Sequence, residues 1–114
     1  MAKLPNAEKA IIETEKLRSY ILSSVHPVGR FKAAFFQRMG YSADNWEAFE
    51  EAIRDLISVQ DVSKSEMSQY GNKFVVEGPL IGLLGDPVQI VTVWIILNGE
   101  EVPQFISAYP GGLR

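Results

Sequence analysis

The sequence predicts an α+β fold, with N-terminal helices packed on a three- to four-stranded antiparallel sheet. Three observations predict it. Apolar residues recur at helical spacing up to about residue 58 and at strand-like spacing beyond it. Asn98-Gly99, a strong short-range hairpin signal, separates the last two apolar runs. The length of 114 residues suits a single domain, 1–114, able to bury roughly two-thirds of its unfolded surface.

Ala10-Ile11-Ile12 reads as a short extended segment. Thr14 reads as an N-cap, with Glu15 favourable in the first turn. Leu17, Tyr20 and Ile21 fall at i, i+3, i+4 and give an apolar face, so the first helix is expected over 15–23. Ser24-Val25-His26-Pro27 ends it, because Pro27 cannot continue a helix and pushes His26 towards an extended backbone. A second helix is expected over 28–39, with Phe31, Ala34 and Phe35 as its apolar stripe and Gly40 as its stop. Asp44 reads as the next N-cap, with Glu47 completing a capping-box variant. Trp46, Phe49, Ile53, Leu56 and Ile57 form the apolar face of the third helix, and Glu47, Glu50, Glu51, Arg54 and Asp55 its solvated side.

The period then changes. Residues 59–69 are polar and read as an edge strand or a strand-like loop. Tyr70-Gly71-Asn72 marks a turn. A short strand over 73–77 is expected to stop at Gly78-Pro79, and residues 81–86, punctuated by glycine, read as a loop. Val88–Leu97 is apolar on both parities, Ile90, Trp94 and Ile96 against Val91, Val93 and Ile95. It is therefore expected to be central and covered on both faces for much of its length. The return strand is expected over 102–109, with Pro103 near its start, and Pro110-Gly111-Gly112 ends it.

Composition narrows the functional classes. Hydrophobic residues at 46% and charged residues at 22% are ordinary for a globular domain, which excludes a disordered or low-complexity chain. The absence of cysteine excludes disulfides and cysteine-based zinc sites and fits a reducing cytoplasm. No signal-like run opens the chain. The longest apolar stretch, Val88–Leu97, is far short of the roughly 20 residues that span a bilayer, so no membrane role is expected. The net charge of −3 argues against nucleic acid, but it is unevenly distributed: residues 1–41 carry +4 and residues 42–114 carry −7. A basic helical half can attract phosphate while the remainder repels it.

Motifs for phosphate loops, serine hydrolases and zinc proteases are absent, and one histidine without cysteine makes no metal set, so neither metal nor cofactor is expected. Two segments carry chemistry. In the first, His26-Pro27-Val28-Gly29-Arg30-Phe31-Lys32, the only histidine stands before a helix start, where anions are favoured. Gly29 permits close backbone approach, and Arg30 and Lys32 add charge. Histidine, with an ordinary pKa of about 6.5, suits proton transfer at neutral pH. Together these groups suit attack on a phosphodiester. The plainer reading is a histidine that caps or packs against the helix, with two surface cations. In the second, Phe105-Ile106-Ser107-Ala108-Tyr109-Pro110, Ser107 and Tyr109 point to one face of a strand, where their hydroxyls suit a phosphate. The plainer reading is a tyrosine closing the core edge and a serine satisfying its backbone.

Lys3-Leu4-Pro5-Asn6-Ala7, the run from His26 to Ala33 with Phe35-Phe36 and Gly40-Tyr41, and Ser107-Ala108-Tyr109-Pro110 resemble a family of small uncharacterised bacterial domains. Its members often carry adhesin-like labels, and some form the C-terminal module of larger toxin-like proteins. More distantly, the layout resembles the BECR-type ribonuclease toxins, which set N-terminal helices before a four-stranded antiparallel sheet. That resemblance implies His26 as the acid–base group, Lys32 as the cation at the phosphate, and Ser107 and Tyr109 as hydroxyl contacts. The RNA 2′-hydroxyl would be the nucleophile and no metal would be needed. Lys32, Tyr109 or Glu77 would supply the second proton-transfer group. Arg30 and Gly29 would bind substrate. Two functions are thus expected: a ribonuclease toxin or an inactive relative, with RNA and a small cognate antitoxin or immunity protein as partners; or a non-catalytic protein-interaction module. Convergence of His26 and Lys32 with Ser107 and Tyr109 would distinguish them.

Overall fold

The computed structural model describes residues 2–23, 25–27, 29–85 and 87–111. Ser24, Val28, Asp86 and Gly112, which enter the expected boundaries above, lie outside the described residues, as does the Phe31 side chain. The chain runs through a 3-10 turn (Ala7–Lys9) and helix α1, which opens over Thr14–Lys16 and continues as a π-helical turn over Leu17–Ile21. Helix α2 (Gly29–Gln37) follows, then a second 3-10 turn (Ala43–Asn45) leading directly into α3 (Trp46–Val59). Strands β1 (Val62–Met67), β2 (Gly71–Leu80), β3 (Val88–Leu97) and β4 (Gln104–Pro110) form one antiparallel sheet in the order β1-β2-β3-β4.

The helical half forms where apolar residues repeat on one face. Phe49, Ile53, Leu56 and Ile57 are buried along α3, and Phe36 and Met39 come in from the end of α2. The start of α3 differs from expectation. Asp44 and Glu47 do not frame it; a capping box of Ser42 and Asn45 closes the 3-10 turn that leads into it, Asn45 accepting the Ser42 N–H at 2.7 Å and donating to the Gly40 carbonyl at 2.9 Å. The short Asn45 side chain can reach both groups across one turn. Gly40 ends α2 at φ 97°, a backbone that L side chains rarely adopt.

The sheet presents one face to the helices. Val76, Leu80, Ile90, Thr92, Trp94, Phe105 and Ala108 are buried there. Trp94 donates from Nε1 to the Thr92 hydroxyl at 2.8 Å, and that hydroxyl donates to the Val76 carbonyl at 2.8 Å. Among the described residues no buried side-chain nitrogen or oxygen lacks a hydrogen-bond partner. The opposite face carries Val75, Val91, Val93, Ile95, Ser107 and Tyr109 in register. Val91 is buried there, but Val93 and Ile95 are half-buried, so β3 is packed by helices on one face only. Its second apolar parity is shielded by cross-strand neighbours rather than by another layer.

Two strands exceed their expected bounds. The polar run after α3 is the edge strand β1. Strand β2 runs on through Gly78-Pro79, where a stop was expected. Pairing with β1 reaches only Val62↔Val76, so beyond Val76 one edge of β2 is free and a proline without an N–H costs no ladder bond. The Asn98-Gly99 turn joins β3 to β4, with Gly99 at φ 82°. The N-terminal segment flanks both edges: Lys3 bridges Asp61 beside β1, and Ile11 bridges Gln104 in parallel at β4.

Candidate functional site

The site grows from three sequence elements that meet at β4. In β4 the register shifts between Val93 and Trp94: Val93 pairs with Ser107 and Trp94 with Phe105, leaving Ile106 as a bulge. Bulges redirect side chains and expose backbone at sheet edges. Phe105 and Ala108 enter the core, while Ser107 and Tyr109 stand opposite Val93 and Val91 on the other face.

Helix α1 supplies the second element. Its π-helical turn is closed by the Leu22 N–H donating to the Leu17 carbonyl at 2.8 Å. Leu17, Ile21 and Leu22 are buried, and Tyr20 is left half-buried at the rim. Lys16, one turn earlier, donates from Nζ to the Ile106 carbonyl at 3.3 Å, on the bulge itself. π-Helical turns are rare and recur at functional sites because they rotate neighbouring side chains out of their α-helical positions.

The third element is the corner before α2. Ser23 Oγ accepts the backbone N–H of Val25 at 3.3 Å and of His26 at 3.1 Å. The His26 carbonyl accepts the Arg30 N–H at 3.0 Å, a backbone bond at the helix start. The His26 ring packs edge-on against Tyr20, centroids 4.9 Å apart. Lys32, on the first turns of α2, donates from Nζ to Tyr20 Oη at 2.8 Å and to Ser107 Oγ at 2.8 Å, with its ammonium 4.8 Å from the Tyr20 ring centroid.

The structure therefore joins His26, Lys32 and Ser107, with Tyr20 as the link between them. Tyr109 shares the Ser107 face two residues along the strand and is 40% exposed. Gly29 is the first residue of α2, and the Arg30 side chain is exposed. Glu77 lies on the same face as Tyr109 but across β3, opposite Val91, about 10 Å away at the ordinary strand spacing. It accepts a hydrogen bond from Ser63 Oγ at 3.0 Å. Sequence reasoning placed Tyr20 on an apolar helix face and did not single out Lys16. Their i, i+4 spacing on one helix was the available signal.

Electrostatically the Lys32 ammonium is held by neutral hydroxyls. Neither of the ion pairs Lys3–Asp61 and Arg54–Glu50 involves it. Two cations, Lys16 and Lys32, thus end on successive residues of β4. Such a half-buried edge can receive an anion through charge-assisted hydrogen bonds. Among the described residues no group of three His, Cys, Asp or Glu side chains is placed to hold a metal ion, and no helix is long and apolar enough to cross a membrane.

The family model described as "Domain of unknown function (DUF6883)" matches residues 3–112. Among solved structures, the chain is similar to one chain of the "Contact-dependent growth inhibition toxin - immunity protein complex from Klebsiella pneumoniae 342", with a TM-score of 0.69, 18% sequence identity, and coverage of 88% of this chain and 98% of that one. At that identity the likeness is one of fold. No curated protein matches the chain.

Proposed function

The chain belongs to the DUF6883 family of domains of unknown function, and we propose that this member is a metal-independent endoribonuclease of a bacterial toxin system. The observation that carries the proposal is the Lys32 ammonium, 2.8 Å from both the Tyr20 and Ser107 hydroxyls, with the His26 ring packed on Tyr20. A cation oriented by hydroxyl acceptors that carry no opposing charge keeps its own charge available for an incoming phosphate.

In this reading the RNA 2′-hydroxyl attacks phosphorus. A P–O2′ bond forms and the P–O5′ bond breaks, leaving a cyclic phosphate and a free 5′-hydroxyl. His26 accepts the 2′ proton, and Tyr109 or Lys32 returns a proton to the departing oxygen. Lys32 and the Ser107 hydroxyl stabilise the charge that gathers on the non-bridging oxygens, the kind of preorganised stabilisation that dominates many enzyme sites. Arg30 and the Gly29 backbone meet the flanking phosphate. A fold shared with a chain of a toxin–immunity complex supports the setting in a toxin system, with a cognate immunity protein as partner.

The test is RNA cleavage with EDTA present. His26→Ala should lose about 10²–10⁴ in rate while remaining folded, the usual contribution of a general acid–base group. Arg30→Ala should weaken binding more than turnover, with a loss that shrinks as salt rises. Undiminished cleavage by His26→Ala would overturn the catalytic assignment. No cleavage of any RNA by the wild-type protein would leave the interaction-module reading in its place.

A further inference from the structure

A second surface, which shares no residue with the β4 site, is not used by the ribonuclease reading. A cleft of about 600 Å³ opens between the second half of α3 and the loop over 81–85. Its walls are Ala48, Ala52, Leu56 and Val59 from the helix and Ile81 and Leu83 from the loop. Apolar side chains continue outside it: Val59 is 65% exposed, Ile81 60%, Leu83 54% and Leu84 74%. Contiguous exposure of this kind marks an interaction site rather than ordinary surface.

The loop is fixed in this posture. The N–H groups of Leu83 and Leu84 both donate to the Met39 carbonyl, at 2.7 and 3.3 Å, and the Tyr41 hydroxyl donates to the Ile81 carbonyl. A Cβ on Gly40 would stand 2.8 Å from Leu83 Cβ, so the loop fits only against glycine at that point. The backbone is thus secured inward while its aliphatic side chains face out.

Charge then selects the occupant. Glu47, Glu51 and Asp55 follow one another at i, i+4, i+8 along exposed α3, and Glu51 and Asp55 line the cleft. Like charges at this spacing destabilise a helix. Arg54, the only cation on α3, is committed to Glu50 at 2.9 Å and to the Ala10 carbonyl at 2.9 Å. Among the described residues no cation pairs with Glu47, Glu51 or Asp55, and no Lys or Arg lines the cleft. A phosphate backbone would be repelled here.

We propose that this cleft docks a segment of a partner protein that inserts aliphatic side chains between α3 and the 81–85 loop and sets Lys or Arg against the Glu47–Glu51–Asp55 ridge. The probe is a synthetic amphipathic peptide of leucines and lysines, titrated into the isotope-labelled full chain and read by amide chemical shifts. A counterpart has every lysine replaced by glutamate. The lysine peptide should shift Ala48, Ala52, Val59 and residues 81–84, and bind more weakly as salt rises. Leu83→Ser, at an exposed position, and the double variant Glu51→Lys/Asp55→Lys should each weaken it about tenfold, with unfolding midpoints showing that both variants are folded. Equal binding of the two peptides, or no shifts at the cleft, overturns the proposal. So would shifts there produced by an RNA oligonucleotide, or by raising the concentration of the chain alone, which would make the occupant a second copy.

Discussion

Lys32 is tied to β4 through Ser107 and to α1 through Tyr20, and this coupling can be measured. Tyr20→Phe keeps the ring beside His26 but removes one acceptor, and Ser107→Ala removes the other. Each should cost about 0.5–1.5 kcal/mol of stability, the net worth of a hydrogen bond. On the ribonuclease reading each should also slow cleavage several-fold, the double variant approaching the loss of Lys32→Ala. A double variant that cleaves as fast as either single one would show that the hydroxyls do not hold the ammonium for catalysis. In the core, Trp94 is wholly buried, and Trp94→Ala should cost about 3–5 kcal/mol in denaturant unfolding. Thr92→Val is subtler: it matches the shape but strands the Trp94 N–H, so about 1–3 kcal/mol is expected. His26, Lys32 and Ser107 were singled out in the sequence by two short segments and by the resemblance that joins them, and their proximity is what the fold adds. Tyr20 was not, because a tyrosine on an apolar helix face reads as packing, and only the π-helical turn and the fold bring its hydroxyl to Lys32.

At the scale of elements, helices were readable where one apolar face repeats, as in α3, and less so where local bonds rearrange the period. The π-helical turn of α1 and the Asn45 junction at the start of α3 both depend on hydrogen bonds that spacing does not encode. Strand β2 escaped its apparent stop for a tertiary reason, the early end of β1 beside it. The contact between Gly40 and the 81–85 loop is likewise invisible in sequence and testable. Gly40→Ala places a side chain in the left-handed region, at about 1–2 kcal/mol, and adds a collision with Leu83. Adding Leu83→Gly should relieve the contact with Leu83 but neither the tight approach to Leu84 Cγ, 3.0 Å from a Cβ at this position, nor the backbone strain. Urea midpoints for the single and double variants check this; full recovery by the second change would show that strain at Gly40 is negligible.

For the whole molecule, the division of charge found in the sequence becomes a division of surfaces. Lys16 and Lys32 meet the β4 edge, while the acidic ridge of α3 borders the apolar cleft. Two ionisable groups also link the extremities of the fold to pH. Burial pushes the Tyr41 phenol above the ordinary tyrosine value of about 10. The Lys3 hydrogen bond holds the Asp61 carboxyl below its ordinary value, with the Lys3 and N-terminal charges adding to it. A raised folded value means that the stabilisation from Tyr41 is complete below the unfolded pKa and is lost as pH rises through the folded one. For Asp61 the sign reverses: its contribution is present above the unfolded value near 4 and is lost as pH falls through the lower folded value. Stability should therefore show an alkaline shoulder from Tyr41 and a smaller acid one from Asp61. The Lys3–Asp61 pair is exposed, so high salt should flatten the acid shoulder and spare the alkaline one, whose cause is burial. Denaturant midpoints of the wild type, Tyr41→Phe and Asp61→Asn across the acid and alkaline limbs, at low and high salt, separate the two. Tyr41→Phe should remove the alkaline shoulder and leave the acid limb as it was. An alkaline loss unchanged in Tyr41→Phe would assign it to the lysines, and the hydroxyl that secures the 81–85 loop would then have no part in the pH response.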